Sequence, residues 1–277
     1  MQNTKINDLI AVTEFENIIK KRDMYLFYEN MFEYIGQSDM FSKHSHELEK
    51  YAKTIRREFN NINKLLLRIY STWQSEDFPN TRLEKITIFI NLDIEAILVK
   101  YKVIIDALAE IIKLSFPEKL KINKKKSTIY DCFNHLKSLN NSTDLLQVSW
   151  YLDINSYRNS IIHRGSSCMT FNIDEEITFQ IFDEYLDPLI IDEEYMMADK
   201  KTIIFSHFLV VYVSYLFKFI SEVFKAMLIE KTKNISNSEY LKSKDFVLSR
   251  MNIGSSMSSD EELLYLELIR KFKISLI

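Results

Sequence analysis

The stretch that decides the fold is Trp150 to Gly165, W-Y-L-D-I-N-S-Y-R-N-S-I-I-H-R-G. Nothing before Gly165 interrupts a helix here. Gly165 is one of only three glycines in the chain, and it follows a basic residue, as helices commonly end. The stretch therefore predicts a helix whose C-terminal end carries Arg158 and His163.

The polar side chains at this helix end can share one site. Arg158 and His163 are five residues apart, which places them about 140° apart around a helix axis. The long arginine side chain must therefore curl round the helix to reach the imidazole. Asn159 lies one turn before His163, on the same face. We take Arg158, Asn159 and His163 as the candidate site.

The composition predicts a mainly α protein with long helices. The 277 residues include only three Gly and three Pro, with 47% hydrophobic and 27% charged residues. Such a chain is unlike a β-sandwich, a barrel or a disordered protein. It is also long enough to bury roughly three quarters of its unfolded surface.

The net charge and the two cysteines limit which ligands and which cellular compartment we expect. The net charge of -3 excludes a polycation, so any RNA contact must be local. The two cysteines have no metal-binding spacing, and the N-terminus lacks the features of a signal peptide, so we expect a cytoplasmic protein. Residues 202–217 have no formal charge but are fewer than the roughly 20 of a membrane span. We expect a buried core helix there and no membrane association.

Apolar periodicity predicts the remaining elements. A helical hairpin is favoured over a coiled coil for the second helix. Residues 169–173 and 177–181 alternate between apolar and polar and predict a β-hairpin. The predicted helices are 6–35 (one, or two nearly continuous), 41–73, 81–114, 127–139 with an N-cap at Ser127 or Thr128, 144–164, 199–231, 239–251 and 260–273.

The helix over 81–114 has a polar stripe within an otherwise apolar sequence. Glu95, Lys102 and Asp106 are spaced by seven and four residues and so lie on one face. A carboxylate of this stripe could orient Arg158 or His163. The alternative is a solvated face with a Lys102–Asp106 ion pair that contributes little.

Basic residues near the candidate site are possible phosphate contacts. Lys124, Lys125 and Lys126 belong to a basic run in a predicted loop, and Arg164 and Lys102 complete the set. A loop that is only solvated is the alternative for the lysine run. No metal or cofactor is expected, because the sequence has no Gly-rich phosphate loop and no HExxH motif.

The run Arg158-Asn159-Ser160-Ile161-Ile162-His163 resembles the R-N-x-x-x-H signature of the HEPN superfamily, whose members are compact helical domains. The resemblance covers roughly residues 81 to 232. It implies an antiparallel helical bundle in which the helix over 81–114 packs beside the motif helix and a short β-hairpin follows. Residues 1–80 would form a helical hairpin packed on this bundle, and residues 233–277 would form peripheral helices.

The same resemblance implies an activity. HEPN proteins are often metal-independent endoribonucleases of bacterial defence, abortive-infection or toxin–antitoxin systems, and they commonly pair two motif helices in a homodimer. His163 would transfer protons, Arg158 would bind the phosphate and Asn159 would orient the imidazole or the RNA. An antitoxin or another defence-system protein would be a further partner. The alternatives are a non-catalytic HEPN-like module that binds RNA, a nucleotide or a protein, and a helical scaffold.

Overall fold

The computed structural model describes residues 2–20, 45–74, 83–116, 129–140, 149–173, 176–183, 202–232 and 257–275. Within these ranges the chain forms seven helices and one small antiparallel sheet, which confirms the mainly α class with a short hairpin. The elements are α1 (Gln2–Lys20), α2 (Ser45–Gln74), α3 (Leu83–Ser115), α4 (Ile129–Asn140), α5 (Ser149–Arg164), β1 (Ser167–Ile173), β2 (Glu176–Phe182), β3 (Ile203–Ile204), α6 (Phe205–Thr232) and α7 (Ser259–Ser275).

Helices α2 and α3 pack along each other as an antiparallel hairpin. Arg68 donates from Nε to Asp93 at 2.7 Å, and Lys100 donates to Glu58 at 2.8 Å, so residue numbers rise on one helix as they fall on the other. The buried residues of α2 recur every three or four positions, as the sequence predicts. The members of this series are Leu48, Ala52, Ile55, Phe59, Ile62, Leu66 and Ile69, and Glu58, Asn63 and Tyr70 are buried beside them. This antiparallel pair agrees with the helical hairpin favoured over a coiled coil for the second helix, and the hairpin expected within residues 1–80 stays a prediction.

Helix α6 is the central core helix. It packs against α1, α4, α7 and β2. Among the described residues, Phe205–Glu230 is the one helical segment long and apolar enough to cross a membrane, and 72% of its most apolar window is buried inside the protein. The buried helix predicted for this region is therefore present.

The start of this helix corrects the sequence prediction. A helix from residue 199 would include Ile203 and Ile204, but these two residues form β3 and pair with β2, Thr178 opposite Ile204 and Phe179 opposite Ile203. A short apolar run cannot be assigned to helix or strand by periodicity alone. The β1–β2 hairpin itself is confirmed, with Ile173 paired to Glu176 at the turn.

Helix α7 is part of the core, which corrects its predicted peripheral position. Its buried face contacts α1, α2 and α6 and consists of Tyr265, Leu268, Ile269 and Phe272. The Tyr265 hydroxyl also donates to Asn63 on α2 at 2.8 Å. The amphipathic pattern predicts that one face of this helix is buried. Only the tertiary contacts show that it is buried against the main hydrophobic core.

The other predicted helix boundaries either agree with the structure or lie outside the described residues. Helices α3, α4 and α7 match the predictions for 81–114, 127–139 and 260–273 to within two residues. The predicted helical segments 21–35 and 239–251, the N-cap at 127–128 and the start of the motif helix at 144–148 lie outside the described ranges. One core cluster joins elements from all three predicted units, and the unit boundaries stay predictions.

Candidate active site at the end of helix α5

Helix α5 is held by its buried face. Tyr151, Ile154 and Tyr157 are almost completely buried. Asp153, also buried, accepts a hydrogen bond from the Tyr212 hydroxyl of α6 at 2.6 Å. This face packs against α3 and β2, whereas Leu152 and Ile162 on the other side of the helix are exposed.

The end of α5 is fixed by a glycine and a carboxylate. Gly165 has a φ of 69°, the left-handed conformation that commonly closes a helix, and the amide of Ser166 donates back to the Ser160 carbonyl at 3.2 Å. The Asp183 carboxylate at the end of β2 accepts from the Ser160 hydroxyl and, at 2.8 Å, from Arg164 Nη1. The last turn of α5 is thus connected to the sheet.

Arg158 and His163 meet at this end. Arg158 Nη1 lies 3.0 Å from His163 Nε2 and 3.0 Å from Asn159 Oδ1. An arginine has only donors, so Nε2 must be the acceptor and, in this arrangement, carries no proton. The arginine has curled round the helix, and all three predicted residues form one hydrogen-bonded group.

The guanidinium of Arg158 retains unused donors. Both N–H bonds of Nη1 point to Asn159 and His163, whereas Nη2 has no hydrogen-bond partner among the described residues. The Nε atom is buried and also without a partner there. An unpaired buried donor costs about 1–3 kcal/mol. A rotation that presents Nε and Nη2 together to an oxyanion would remove this cost.

A row of polar residues along α5 leads to this group, and two of its members, Tyr151 and Asn155, are absent from the sequence-based site. Tyr151, Asn155, Asn159 and His163 follow one another at intervals of four, and the Tyr151 hydroxyl donates to Asn155 Oδ1 at 3.4 Å. Burial raises the pKa of Tyr151, Asp106 raises it further and Arg158 opposes the shift. The spacing of four residues was a signal available in the sequence.

The predicted supporting carboxylate Glu95 has a different partner. It accepts the backbone amide of Cys168 at 2.9 Å, and one turn earlier Asn91 accepts from the Thr170 hydroxyl at 2.8 Å. These two side chains of α3 hold the outer edge of β1, Glu95 through the Cys168 amide and Asn91 through the Thr170 hydroxyl. Among the described residues Glu95 makes no hydrogen bond to the Arg158 group.

Asp106 likewise bonds elsewhere. It forms an i,i+4 ion pair with Lys102 on α3, the alternative recognised from the spacing. No described hydrogen bond joins it to Arg158 or His163, although its charge acts on Tyr151 in the same row. The stripe on α3 therefore supports the fold around α5 and does not orient the candidate pair directly.

The predicted RNA-binding residues are only partly available. Arg164 is bonded to Asp183, although 48% of its side chain remains exposed, and Lys102 is paired with Asp106. Lys124, Lys125 and Lys126 lie outside the described residues. In the described ranges no cluster of three or more His, Cys, Asp or Glu side chains has the arrangement of a metal site.

A cavity of about 250 Å³ lies elsewhere, between α1 and α6. Phe15 and Phe217 form part of its wall, with Glu14, Lys218 and Lys225 among its charged residues. No residue of α5 contributes to this cavity. His163 is exposed, so the Arg158 group lies at the surface and outside this cavity.

The chain matches no protein-family model, no curated protein and no solved structure. The HEPN resemblance stays an expectation that rests on the motif and on the helix order.

Proposed function

We propose that the protein is a metal-independent endoribonuclease of a bacterial defence or toxin type, which cleaves RNA at Arg158 and His163. The observation that supports this most directly is the 3.0 Å contact between Arg158 Nη1 and His163 Nε2 at an accessible helix end. The R-N-x-x-x-H resemblance supplies the reaction class. A guanidinium can stabilise the charge of the transition state and an imidazole can transfer protons, which are both functions that RNA scission uses.

RNA brings its own nucleophile, so the chemistry is a transphosphorylation. The 2′-oxygen forms a bond to phosphorus as its proton passes to a base, and the bond from phosphorus to the 5′-oxygen breaks as that oxygen gains a proton. The products are a 2′,3′-cyclic phosphate and a 5′-hydroxyl. His163 Nε2, the nitrogen without a proton here, is suited to accept the first proton.

Arg158 would bind the scissile phosphate. Its Nη2 is unpaired among the described residues, and Nε gains a partner if the guanidinium turns toward an oxyanion. A planar guanidinium binds two phosphate oxygens at once and stabilises the added negative charge of the transition state. When it turns, it also releases Nε2 of His163. Substrate binding would thus prepare the base for proton transfer.

A second imidazole would act as the acid. In-line cleavage places the entering and leaving oxygens on opposite sides of phosphorus, and one helix end offers one histidine. We therefore propose a homodimer that pairs two α5 helices about a two-fold axis. The face available for this contact includes Leu152 and Ile162, which are 41% and 49% exposed. A cytoplasmic location and an antitoxin or defence-system partner belong to the same proposal.

The test is cleavage of total RNA in EDTA by the purified protein and its variants. His163→Ala should abolish cleavage and leave helical content and sedimentation unchanged, and Arg158→Lys should lower the rate about 100-fold or more because lysine cannot bind two oxygens in the same plane. His46→Ala, which removes an exposed histidine of α2, is the matched control. Cleavage that survives both site variants would refute the assignment.

A non-catalytic HEPN-like module is the second candidate. The observation in its favour is that His163 Nε2 is already hydrogen-bonded by Arg158 in the free chain. Such a pair could bind the phosphates of RNA, of a nucleotide or of a modified protein without turning over. RNA binding by the wild type without any cleavage, equally weakened by Arg158→Lys, would select this candidate.

A further inference from the structure

The exposed face of α2 is a line of cations. Residues 50–70 contain six basic residues and one acidic residue, Glu58, which is buried. Within this stretch every exposed side chain belongs to a basic residue, and we call these five the basic row. They are Lys50, Lys53, Arg57, Lys64 and Arg68. At about 100° per residue they fall within an arc of about 60° and extend over about 27 Å.

Acidic partners neutralise only part of the positive charge of the basic row. Lys50 and Lys64 have no side-chain partner among the described residues, and Lys53 pairs only with Glu49, which is 40% exposed. Arg57 and Arg68 form ion pairs with the buried carboxylates of Glu58 and Asp93, but their own side chains remain 67% and 63% exposed. A chain with a net charge of -3 therefore concentrates cations on one helix.

An apolar patch lies beside this row on α3. Ile88, Phe89 and Leu92 are 54%, 64% and 55% exposed. On a helical wheel they occupy the arc between Asp93, which binds Arg68 of the row, and Glu95, which accepts the Cys168 amide of the strand that follows the motif helix. The patch thus lies on the surface between the basic row and the elements that follow the Arg158 group.

We propose that the basic row and this apolar patch together form a docking surface for single-stranded RNA. A line of cations beside an exposed aromatic ring is the arrangement that binds such strands, since phosphates follow the charges and bases stack on the ring. Helices α2 and α5 both pack on α3, so the axes of the two helices that carry the row and the Arg158 group are about two helix-packing distances, or roughly 20 Å, apart or less where they contact α3. One bound strand can reach both.

The narrow shape of the row favours RNA over an anionic membrane. A membrane-binding helix alternates its cations with exposed apolar residues that enter the headgroup layer. On α2 the exposed positions from Lys50 to Arg68 are basic throughout. The choice of RNA as ligand rests on the proposed function, but binding is measured here without cleavage.

The test is a fluorescence-anisotropy titration of labelled oligo(U) into the His163→Ala protein at several salt concentrations. The row variant adds Lys50→Gln, Lys53→Gln and Lys64→Gln. Three lost phosphate contacts should reduce the slope of log Kd against log salt by about 2 and weaken binding about 10- to 100-fold near 0.1 M salt. The control variant makes the same charge change elsewhere, at the exposed Lys137, Lys225 and Arg270.

The patch is tested in the same way. Phe89→Ala should weaken binding about fivefold or more through the loss of stacking, with little change in the salt slope. Leu263→Ala, at a position 65% exposed on α7, is its control. Sedimentation of the Phe89 variant shows whether the patch is instead a contact between copies, which would overturn its assignment to RNA.

The outcomes separate this inference from the proposed function. If RNA binding depends on the row but the wild type cuts no RNA, the docking surface stands and the nuclease assignment fails. If the wild type cuts RNA but the row and control variants bind alike, the docking surface is refuted. Absence of RNA binding at low salt, or binding to anionic vesicles instead of RNA, also refutes it.

Discussion

Replacing Glu58 by glutamine should weaken the contact between α2 and α3 in a pH-dependent manner. The carboxylate is almost buried and accepts hydrogen bonds from Lys100 at 2.8 Å, from Arg57 at 2.8 Å and from Asn61 at 3.2 Å. It is the one acidic residue within residues 50–70 of α2, and through Lys100 it connects the row to α3. Glutamine keeps the shape and one acceptor but loses the charge.

The magnitude follows from the pKa of this group. Burial acts to raise the pKa of Glu58, but the hydrogen bonds from Lys100, Arg57 and Asn61 outweigh it and lower the pKa from 4.5 to about 2. That difference corresponds to about 3 kcal/mol in the free energy of unfolding. Because the pKa is depressed in the folded state, this stability is fully present above pH 4.5 and is lost as the pH falls toward 2.

The assay is urea unfolding of the wild type and the Glu58→Gln variant from pH 7 to pH 3. The wild type should be more stable by about 3 kcal/mol at pH 7, and about 2 kcal/mol of that difference should be lost by pH 3. Glu110→Gln is the matched control, because Glu110 is 41% exposed in its pair with Lys113 and such pairs contribute about 0–1 kcal/mol. A difference that stays constant over this pH range would refute the reasoning.

Outcomes are expected for four further variants, all measured by urea unfolding and the last also by the rate of RNA cleavage. Tyr212→Phe should cost about 1–3 kcal/mol because it removes a donor to the buried Asp153, whereas Tyr101→Phe should be neutral or stabilising because that buried hydroxyl has no partner among the described residues. Gly165→Ala should cost about 1 kcal/mol, from its φ of 69° alone, since no atom lies within 4 Å of an added Cβ. Asp183→Ala should cost about 1–3 kcal/mol and also slow RNA cleavage, because Asp183 accepts hydrogen bonds from Ser160 and Arg164 at the end of α5. A variant that is less stable but cleaves RNA at the wild-type rate would contradict the second expectation.

Much of the fold was accessible from local pattern. The spacing of apolar residues predicts α2, α3 and α7, alternation predicts the β1–β2 hairpin, and the uncharged run predicts the buried α6. These predictions succeed because the spacing of apolar residues in a helix or a strand can be read directly from the sequence. Strand β3 escaped prediction because two residues contain no period.

In the candidate site, too, the sequence predicts contacts within one helix but not contacts between distant residues. The sequence predicts that Arg158, Asn159 and His163 share a helix end, since a helix alone sets their spacing. It also contains the Lys102–Asp106 pair, whose partners are one turn apart. The amide that Glu95 accepts belongs to Cys168, 73 residues away, and the carboxylate that holds Arg164 is Asp183. No local pattern encodes either contact.

By itself, then, the sequence determined the helices, their buried faces and the residues at the end of α5, because these follow from spacing along one element. The tertiary structure alone decided what covers each face: α7 in the core, Glu95 on the edge of β1, and the apolar patch of α3 beside the basic row of α2. The physical reason is that periodicity shows which side of an element avoids water, whereas the partner on that side depends on contacts between residues far apart in the chain.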